Sequence, residues 1–307
     1  MRILFTPEEL DGPLPHPVAT VGNFDGVHQG HRRILRTLRE RAAQRGGTVV
    51  VITFNPHPQK VLHPDSAPRL ITTRDQKIRL LGGEGVDLLL ELPFTRELAA
   101  LSPEEFVQHT LLGSLGVEEI HIGRNFRFGH GREGNFATLE RLGQQHGFLA
   151  IPVTGVRHDD RRISSTRIRH ALADGDVALA GTLLGHEEEL VGTVEHGNGR
   201  GTALGFPTAN LRYSNELVPF TGVYVTRFLT DGREYPSVTN IGSRPTFPGA
   251  GPAVESHLIG FTGDLYGRQV AVRFVDRLRD ERRFESVEEL KERIGRDVSR
   301  ALELLEP

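Results

Sequence analysis

Apolar and polar positions follow two periods along the first half of the chain. Short apolar, often β-branched runs predict buried strands ending at Val21 and over residues 48–54, 87–92, 119–123 and 148–153. Between these runs, apolar residues recur at helical spacing after His28, around Lys77, after Ser102 and over 135–146. Strands that alternate with helices predict an α/β, Rossmann-like domain with a doubly wound parallel sheet and right-handed crossovers.

After a predicted helix over residues 176–184, the period changes to two. Strands are predicted over 190–194, 222–228, 235–241, 253–259 and 270–275, and their glycine-rich turns favour an antiparallel β-barrel. One long helix ends the chain, with a capping box at Ser286 and Glu289. Its predicted buried stripe is Val287, Leu290, Ile294, Val298 and Leu302. The polar residues 185–189 predict a linker, and hence domains over 1–185 and 186–307.

Composition narrows the class of protein. A length of 307 residues suffices for two domains, and 37% hydrophobic with 25% charged residues describes a globular protein in water. The net charge of −3 does not favour a nucleic-acid partner. The chain has no cysteine, which excludes disulfides and thiolate chemistry. No apolar run reaches membrane length and the start is not signal-like, so we expect a cytoplasmic protein without a membrane partner.

The sequence around the first predicted helix carries the clearest chemistry. Gly22, Asn23 and Gly26 allow a tight turn between a buried strand and a helix start. Free N–H groups and the positive dipole end make such a start an anion site. His28 and His31 are three residues apart and share one face, where imidazoles can donate hydrogen bonds to phosphate oxygens. The alternative for the pair alone is an ordinary polar surface.

Three more segments lie at or after predicted strand ends. Residues 53–58 form a loop made rigid by two prolines, and residues 123–129 carry arginine, aromatic and glycine residues. We expect one of Phe126 and Phe128 to lie in the core and the other to cover an aromatic ring system. In residues 163–169, Ser164 or Ser165 can cap the next helix, and Arg169 adds a fixed charge. The two helix starts would bracket one triphosphate.

The second half has its own candidate site. Five glycines within residues 192–210 indicate a loop that wraps phosphates. Thr208 and Asn210 are two apart, so both point to one face of an extended segment and offer hard oxygen ligands for Mg²⁺. Residues 240–247 form a second such loop. Glu255 is either a solvated alternate position or a general base, and the charges around Arg279 either hold a ligand edge or are solvated.

Together these motifs resemble the prokaryotic bifunctional riboflavin kinase/FMN adenylyltransferases, or FAD synthetases. The resemblance rests on Gly-Asn-Phe-Asp-Gly-Val-His-Gln-Gly-His, Thr-Phe-Asn-Pro-His-Pro, Asn-Phe-Arg-Phe-Gly, Ile-Ser-Ser-Thr-Arg-Ile-Arg, Gly-Phe-Pro-Thr-Ala-Asn and Asn-Ile-Gly-Ser-Arg-Pro-Thr-Phe, in this order. It implies that the second domain phosphorylates riboflavin with ATP to FMN. The first domain would then transfer AMP from a second ATP to FMN, giving FAD and pyrophosphate. ATP is thus a co-substrate, and Mg²⁺ is the implied cofactor.

The resemblance also implies the site residues. Catalytic roles fall to His28, His31 and Glu255. In the adenylyltransferase, ATP would contact Gly22, Phe24, Asp25, Gly26, His28, His31, Asn125, Ser164, Ser165, Thr166 and Arg169, and the flavin would contact Asn55, Pro56, Pro58, Asn125 and Phe128. In the kinase, ATP would contact Gly192, His196, Gly197, Gly201, Gly205, Phe206, Pro207, Thr208 and Asn210, and the flavin would contact Glu255, Arg279 and Phe284, with Thr208 and Asn210 on the metal.

Two departures from the family pattern leave details open. His186-Glu-Glu replaces a frequent Arg-Pro-Tyr at the domain junction, which leaves the linker contacts open. Asn125 follows Arg where the family often has Asp before Phe, which leaves the role of Asn125 open. A chain with one active half, or a flavin-sensing binding protein without turnover, are the alternatives. Intact Glu255, His28 and His31 argue against the sensor. We expect a monomer or weak self-association.

Overall fold

The computed structural model of the chain describes residues 1–197, 199–242 and 251–306. Contacts divide the chain into two compact units, one formed by Met1–Arg69 with Arg74–Ile163 and the other by Leu70–Thr73 with Ser164–Pro307. Most of the predicted phosphate loop 240–247 lies outside the described residues. Within the described ranges, no helix combines the length and apolar character needed to cross a membrane.

The first unit is built on a six-stranded parallel sheet, as predicted. Its strands are β1 (Arg2–Leu4), β2 (Val18–Val21), β3 (Val49–Asn55), β4 (Leu88–Pro93), β5 (Glu119–Gly123) and β6 (Leu149–Val153). The order is β1-β4-β3-β2-β5-β6, and every neighbouring pair is parallel. From β2 the chain adds strands on one side, and from β5 it adds a strand on the other, so the order reverses between β2 and β5. Strand β1 has only three residues and was not predicted from the sequence.

Helices cover both faces of this sheet. They are α1 (Gln29–Arg45), α2 (Pro58–Leu62), α3 (Arg74–Gly83), α4 (Arg96–Ala100), α5 (Pro103–Phe106), which continues as a π-helix over Val107–Ser114, and α6 (Phe136–His146). Alternate residues of β3 point to the two cores, since Val50 packs with Leu111 and Leu139 on one side while Val51 packs with Leu35 on the other. A short hairpin of β7 (Arg157–His158) and β8 (Arg161–Arg162) follows the sheet.

The second unit is a closed antiparallel barrel with helices, which confirms the predicted class. Its elements are α7 (Ser165–Ala173), α8 (Val177–Leu184), β9 (Glu188–Glu195), α9 (Arg200–Leu204), β10 (Ala209–Tyr213), β11 (Gly222–Thr230), β12 (Arg233–Gly242), β13 (Ala253–Leu258), β14 (Gln269–Arg279) and α10 (Val287–Leu305). The barrel order is β10-β13-β12-β11-β14-β9. It has one strand more than the sequence predicted, because β10 forms within the stretch predicted only as an extended segment.

Packing divides the chain earlier than the predicted boundary after Gly185. Helix α8 packs on β14, so α7 and α8 belong to the compact unit of the barrel. The predicted linker is also shorter than expected, because Glu188 and Glu189 are buried within β9. The carboxylate of Glu189 accepts a hydrogen bond from Arg273 Nε at 2.9 Å, which is why a polar sequence can lie inside the barrel wall.

A four-residue segment of the first half also belongs to the second unit. Leu70–Thr73 precedes α3 in the chain, yet its contacts are with the barrel side. The Leu70 N–H donates to the carboxylate of Glu216 at 3.1 Å. The buried amide of Asn215 contacts the Ile71 carbonyl at 3.5 Å and donates to the Glu189 carbonyl at 3.1 Å. These contacts tie the segment to the start of β9.

The terminal helix matches the predicted stripe only in part, since Leu290, Ile294 and Val298 are half-buried and Val298 packs against the barrel core. Val287 and Leu302 are 51% and 38% exposed, whereas Asp297 and Ala301 are buried. Asp297 faces inward because Arg279, at the end of β14, holds its carboxylate with two nitrogens, at 2.9 and 2.7 Å. An apolar-stripe argument cannot find a carboxylate that is buried by an ion pair.

Candidate active sites

The first candidate site lies where the strand order of the parallel sheet reverses. The H-x-G-H segment follows β2, and the loop with Asn125 follows β5, its neighbour in the sheet. In open α/β sheets, ligands bind in the crevice outside the carboxyl ends of the strands at this reversal. The topology therefore brings two of the predicted motifs to one place.

The turn after β2 is held in an unusual backbone conformation. Gly26 has φ +80°, as predicted for a tight turn, but Phe24 and Val27 also have positive φ, at 50° and 38°. For a β-branched residue such as Val27 this is a genuine outlier, with a cost of about 1–3 kcal/mol. Phe24 and Val27 are both fully buried, so packing stabilises the strained turn. Strain of this kind is concentrated at functional sites.

The two histidines stack at the start of α1. His28 is the N-cap, and its Nδ1 accepts a hydrogen bond from the His31 N–H at 3.3 Å. The two rings are 3.6 Å apart and nearly parallel, and the ring of Phe24 lies 4.9 Å from His31. A Cβ at Gly30 would lie only 3.0 Å from His28 Cε1, so the glycine of the motif makes room for the capping imidazole.

His31 is held in its neutral form. Burial lowers its pKa well below the usual value, and the neighbouring His28 and Arg162 lower it further. A neutral imidazole that keeps one N–H can donate to a phosphate oxygen without adding a charge. Sequence reasoning missed Arg162, whose terminal nitrogen would lie 3.7 Å from a Cβ at Gly123, the last residue of β5. Its position in a two-residue strand of an exposed hairpin gives no sequence signal.

The proline loop lies against the same turn. Asn55 ends β3, the Asn55–Pro56 bond is cis, and Pro58 begins α2. His57 caps α2 through Nδ1 and contacts the amide of Asn23 at 3.0 Å through Nε2. The loop predicted to bind flavin is thus joined to the turn predicted to bind ATP.

Of the two phenylalanines after β5, Phe128 belongs to the core. It is 8% exposed and packs with Phe106 at 5.9 Å, whereas Phe126 is half-buried and stacks on Phe128 at 5.7 Å. One ring in the core agrees with the prediction for the pair, but the buried ring is the one assigned to flavin. The accessible ring is Phe126, and Asn125 beside it is exposed.

The serine-rich motif begins the second unit. Ser164 is the N-cap of α7 and accepts from the Arg167 N–H at 3.3 Å, which decides between the two predicted capping serines. Ser165 and Arg169 are half-buried and Thr166 is exposed. That this helix start and the start of α1 bracket one triphosphate stays a prediction.

The second candidate site lies at one end of the barrel, under the glycine-rich loop. A Cβ at Gly197 would lie 2.1 Å from the amide of Asn210, and one at Gly201 would lie 3.1 Å from Thr208 Oγ1. The Phe206 N–H donates to the Gly201 carbonyl at 2.9 Å, which folds the loop back on itself. The glycines therefore let the backbone approach the two predicted metal ligands closely. Asn198 lies outside the described residues.

Three side chains line up across neighbouring strands of the barrel. Asn210 in β10 is directly opposite Glu255 in β13, which is directly opposite Asn240 in β12. Residues directly opposite in a sheet share one face, so the half-buried carboxylate of Glu255 lies between two amides. Thr208 lies two residues before Asn210, at the edge of the same row. The register brings together the predicted base and the predicted phosphate and metal ligands.

Two pairs of ring side chains contact each other next to the glycine-rich loop. His196, at the base of the glycine-rich loop, stacks on Tyr266 at 3.7 Å, and Phe206 meets His257 edge-on at 5.4 Å. His257 Nδ1 also bonds to the Pro207 carbonyl at 2.8 Å. Sequence reasoning missed Tyr266 and His257. Of the other glycines predicted to contact ATP, Gly192 lies inside β9 and Gly205 follows the last residue of α9.

Arg279, at the end of β14, and Phe284, which follows the strand, were predicted to contact flavin, and both make contacts within the protein. The guanidinium of Arg279 is bound to the buried Asp297, and it also lies 5.7 Å from the ring of Phe284. Arg282 covers the same ring at 4.6 Å. Phe284 is half-buried between these cations. The cluster is therefore partly structural and only partly solvated.

A helix start at the reversal of a parallel sheet and a carboxylate between two amides in a closed barrel are the arrangement expected of a two-domain, nucleotide-dependent transferase. The sequence matches the FAD synthetase family over residues 13–167 and the riboflavin kinase family over residues 184–305. The chain belongs to the family of bifunctional riboflavin kinase/FMN adenylyltransferases. Its first half is an FMN adenylyltransferase domain and its second half a riboflavin kinase domain.

Relatives match nearly the whole chain. The bifunctional riboflavin kinase/FMN adenylyltransferase of Pseudomonas fluorescens is 44% identical over 94% of this chain and 93% of its own length. The protein of the same name from Escherichia coli K12 is 42% identical over 93% of this chain and 92% of its own. A crystal structure titled as a macrolide-efflux protein from Streptococcus pneumoniae has a TM-score of 0.89 and 32% identity, and 97% of each chain is covered.

Proposed function

We propose that the two reactions of this family use the two residue sets described above, one in each compact unit. In adenylylation, a phosphate oxygen of FMN attacks the α-phosphorus of ATP, and the bond to the departing pyrophosphate breaks. No protein nucleophile is needed, so the protein contributes position and charge. The stacked His28 and His31 at an anion-binding helix start support this role. Arg162, whose charge acts on His31, supplies a positive charge that would stabilise the negative charge developing on the phosphates during the reaction.

For the kinase, Glu255 is proposed as the general base. It takes the proton of the riboflavin 5′-hydroxyl as that oxygen attacks the γ-phosphorus and ADP leaves. The observation that carries this assignment is the row Asn210, Glu255 and Asn240 beneath the glycine-rich loop. The register sets the carboxylate between the side chains of Asn210 and Asn240.

The donor set of this row fits Mg²⁺. Thr208 and Asn210 offer neutral oxygens, and Gly197 and Gly201 let the backbone of the loop lie directly against these two side chains. Among the described residues, no cluster of three or more histidine, cysteine or acidic side chains forms a separate metal site. A magnesium ion bound here would neutralise charge that develops on the phosphates. Thr208 and Asn210 would hold it.

For the flavin of the first reaction, we favour the ring of Phe126, which is more accessible than that of Phe128, together with Asn55, Pro56 and Pro58. Asn125, exposed next to Phe126, is placed to reach either a phosphate or a flavin edge. Ser164, Ser165, Thr166 and Arg169 are proposed as the second anion site for the same ATP. The functional boundary is proposed near Gly185, between the two family matches. A cytoplasmic location and a monomeric or weakly associating state stay predictions.

The test separates the two activities in one protein. The purified enzyme is incubated with ATP and Mg²⁺ and either riboflavin or FMN, and the flavins are separated chromatographically. Glu255→Gln should slow FMN formation by about 10²–10⁴-fold while FMN is still converted to FAD. The double variant His28→Ala/His31→Ala should do the reverse. If a folded variant lost both activities, the proposal of two independent sites would be wrong.

The same assay decides between this proposal and its alternatives. FMN that accumulates without FAD would indicate that only the kinase is active, and FAD formed only from supplied FMN would indicate the opposite. Tight flavin binding without any product would indicate a flavin sensor.

A further inference from the structure

Four charged side chains and one hydroxyl, among them the buried carboxylates of Asp25 and Glu91, form a cluster next to the turn of the adenylylation site. Its members come from the turn (Asp25), β3 (Thr53), α3 (Arg74 and Lys77) and β4 (Glu91). Thr53, Glu91 and Asp25 are 0%, 2% and 5% exposed. Buried charges are costly unless they are paired, so a cluster of this kind needs a reason.

Lys77 connects this cluster to the turn. Its ammonium donates to Thr53 Oγ1 at 3.4 Å, and Thr53 Oγ1 donates in turn to the Asn23 carbonyl at 3.3 Å. Burial lowers the pKa of Lys77, while the carboxylates of Glu91 and Asp25 oppose that shift and Arg74 adds to it. Arg74 binds Glu91 at 2.6 Å through one carboxylate oxygen, and the other oxygen has no hydrogen-bond partner among the described residues. The ammonium of Lys77 is therefore a positive charge that interacts with both Glu91 and Asp25.

The identity of the residue is itself informative. Lysine occurs only three times in the chain, at 60, 77 and 291, among 37 basic residues. In a composition so rich in arginine, a half-buried lysine is notable. An ammonium is a compact charge with three donors on a flexible stem, whereas a guanidinium is a planar fork. The space between a hydroxyl and two carboxylates on three different elements suits the ammonium.

The turn needs such support because its shape decides where the histidines lie. Phe24 and Val27 have left-handed φ values, and the Phe24 ring packs on His31. Asn23 contacts His57 of the proline loop. If the turn relaxed, both the stacked imidazoles and the proline loop would move.

We propose that Lys77 is a positioning residue for adenylylation, which holds the turn 22–26 in its phosphate-binding shape through Thr53 and Asp25. It touches no substrate. The inference rests on the adenylylation site proposed above. Its charge, and not only its bulk, is required, because a neutral side chain of the same length would lose the attraction of the ammonium to Asp25 and Glu91.

The absence of cysteine from the chain allows a direct test. In Lys77→Cys, the thiol is alkylated in the unfolded protein, either with 2-bromoethylamine, which restores an ammonium, or with iodoacetamide, which leaves a neutral amide, and the protein is refolded. We measure kcat and KM for FMN adenylylation, with riboflavin kinase activity of the same sample as an internal reference. Lys291→Cys, at an exposed position of α10, treated identically, is the matched control.

We expect the neutral form to lose at least tenfold in adenylylation kcat, with a KM for FMN within about threefold and kinase activity unchanged. The aminoethylated form should recover to within about threefold of the wild-type kcat. Equal kcat values for the two alkylated forms would overturn the inference, whether both are active or both inactive. The His28→Ala/His31→Ala variant keeps the two proposals apart. If that variant retains adenylylation, the site is wrong, and if only the neutral form at 77 retains it, the role of Lys77 is wrong.

Discussion

Replacement of Gly30 by alanine should damage adenylylation without unfolding the protein. A methyl group at this position would lie 3.0 Å from His28 Cε1 and 3.1 Å from its Nδ1, whereas ordinary contact begins at 3.4 Å. The imidazole must therefore move by about 0.4 Å. That movement affects the stack on His31 and the cap that His28 Nδ1 makes with the His31 N–H.

The expected effects on stability nearly cancel. Alanine improves helix propensity over glycine by up to about 1 kcal/mol. A weakened cap costs about 0.5–2 kcal/mol. The free energy of unfolding should therefore stay within about 1 kcal/mol of wild type. Catalysis depends more steeply on position, because a shift of about 1 Å in a site can reduce the rate by about 100-fold. A shift of 0.4 Å should then reduce adenylylation by roughly tenfold.

The assay is FMN adenylylation, with riboflavin kinase activity as the reference in the same sample and urea unfolding as the measure of stability. Gly295→Ala in the middle of α10 is the matched control, because a methyl group there meets nothing within 4 Å. That variant should keep both activities and gain up to about 1 kcal/mol in stability. Wild-type adenylylation by Gly30→Ala would refute the argument that the glycine makes room for the capping histidine.

Three further expectations follow from other contacts. Asp297→Ala should destabilise the protein by about 3–5 kcal/mol in a urea titration, because it leaves the guanidinium of Arg279 without its buried carboxylate. The control Glu303→Ala, which removes an exposed ion pair with Arg300, should cost less than about 1 kcal/mol. Gly197→Ala should reduce kinase activity at least tenfold and spare adenylylation, because its Cβ would collide with the Asn210 amide; equal losses in both assays would contradict this. The pKa of His31 is lowered in the folded protein, so the contribution of His31 to stability is full above about pH 6.5 and is lost as pH falls below that value. In unfolding titrations between pH 8 and 5, His31→Asn should therefore lose less stability towards acid pH than the wild type does.

The periodicity of apolar residues and the order of the motifs were sufficient to predict the architecture of both units. Continuous apolar strands between amphipathic helices allowed only a parallel sheet, and regular two-fold periods between glycine turns allowed only an antiparallel barrel. The H-x-G-H segment was placed correctly at a helix start because a turn, a cap and an apolar stripe all agree there. The family followed from six motifs in order. Glu255 and Asn210 were predicted separately, and the strand register shows that they are neighbours.

The misses share a physical cause, which is polarity stabilised by a distant partner. Glu189 was predicted as part of a linker, but it is buried in β9 because the distant Arg273 binds its carboxylate. Asp297 lies outside the predicted apolar stripe, and it is buried because Arg279 and Arg293 bind its carboxylate. Arg162 gave no signal because only the folded hairpin brings its charge close enough to affect His31. The left-handed φ of Val27 could not be predicted, since local sterics argue against it and only the packed turn enforces it.

The tetrapeptide Leu70–Thr73 bears on how this protein can be divided. Ordinary fusions can be cut once, between the end of one activity and the start of the next. Here any such cut would leave the Leu70 amide and the Ile71 carbonyl on one fragment and Glu216 and Asn215 on the other. Each fragment would then expose polar backbone or side-chain groups that are joined in the intact chain, so the separately expressed halves would not be equivalent to the halves of the whole enzyme.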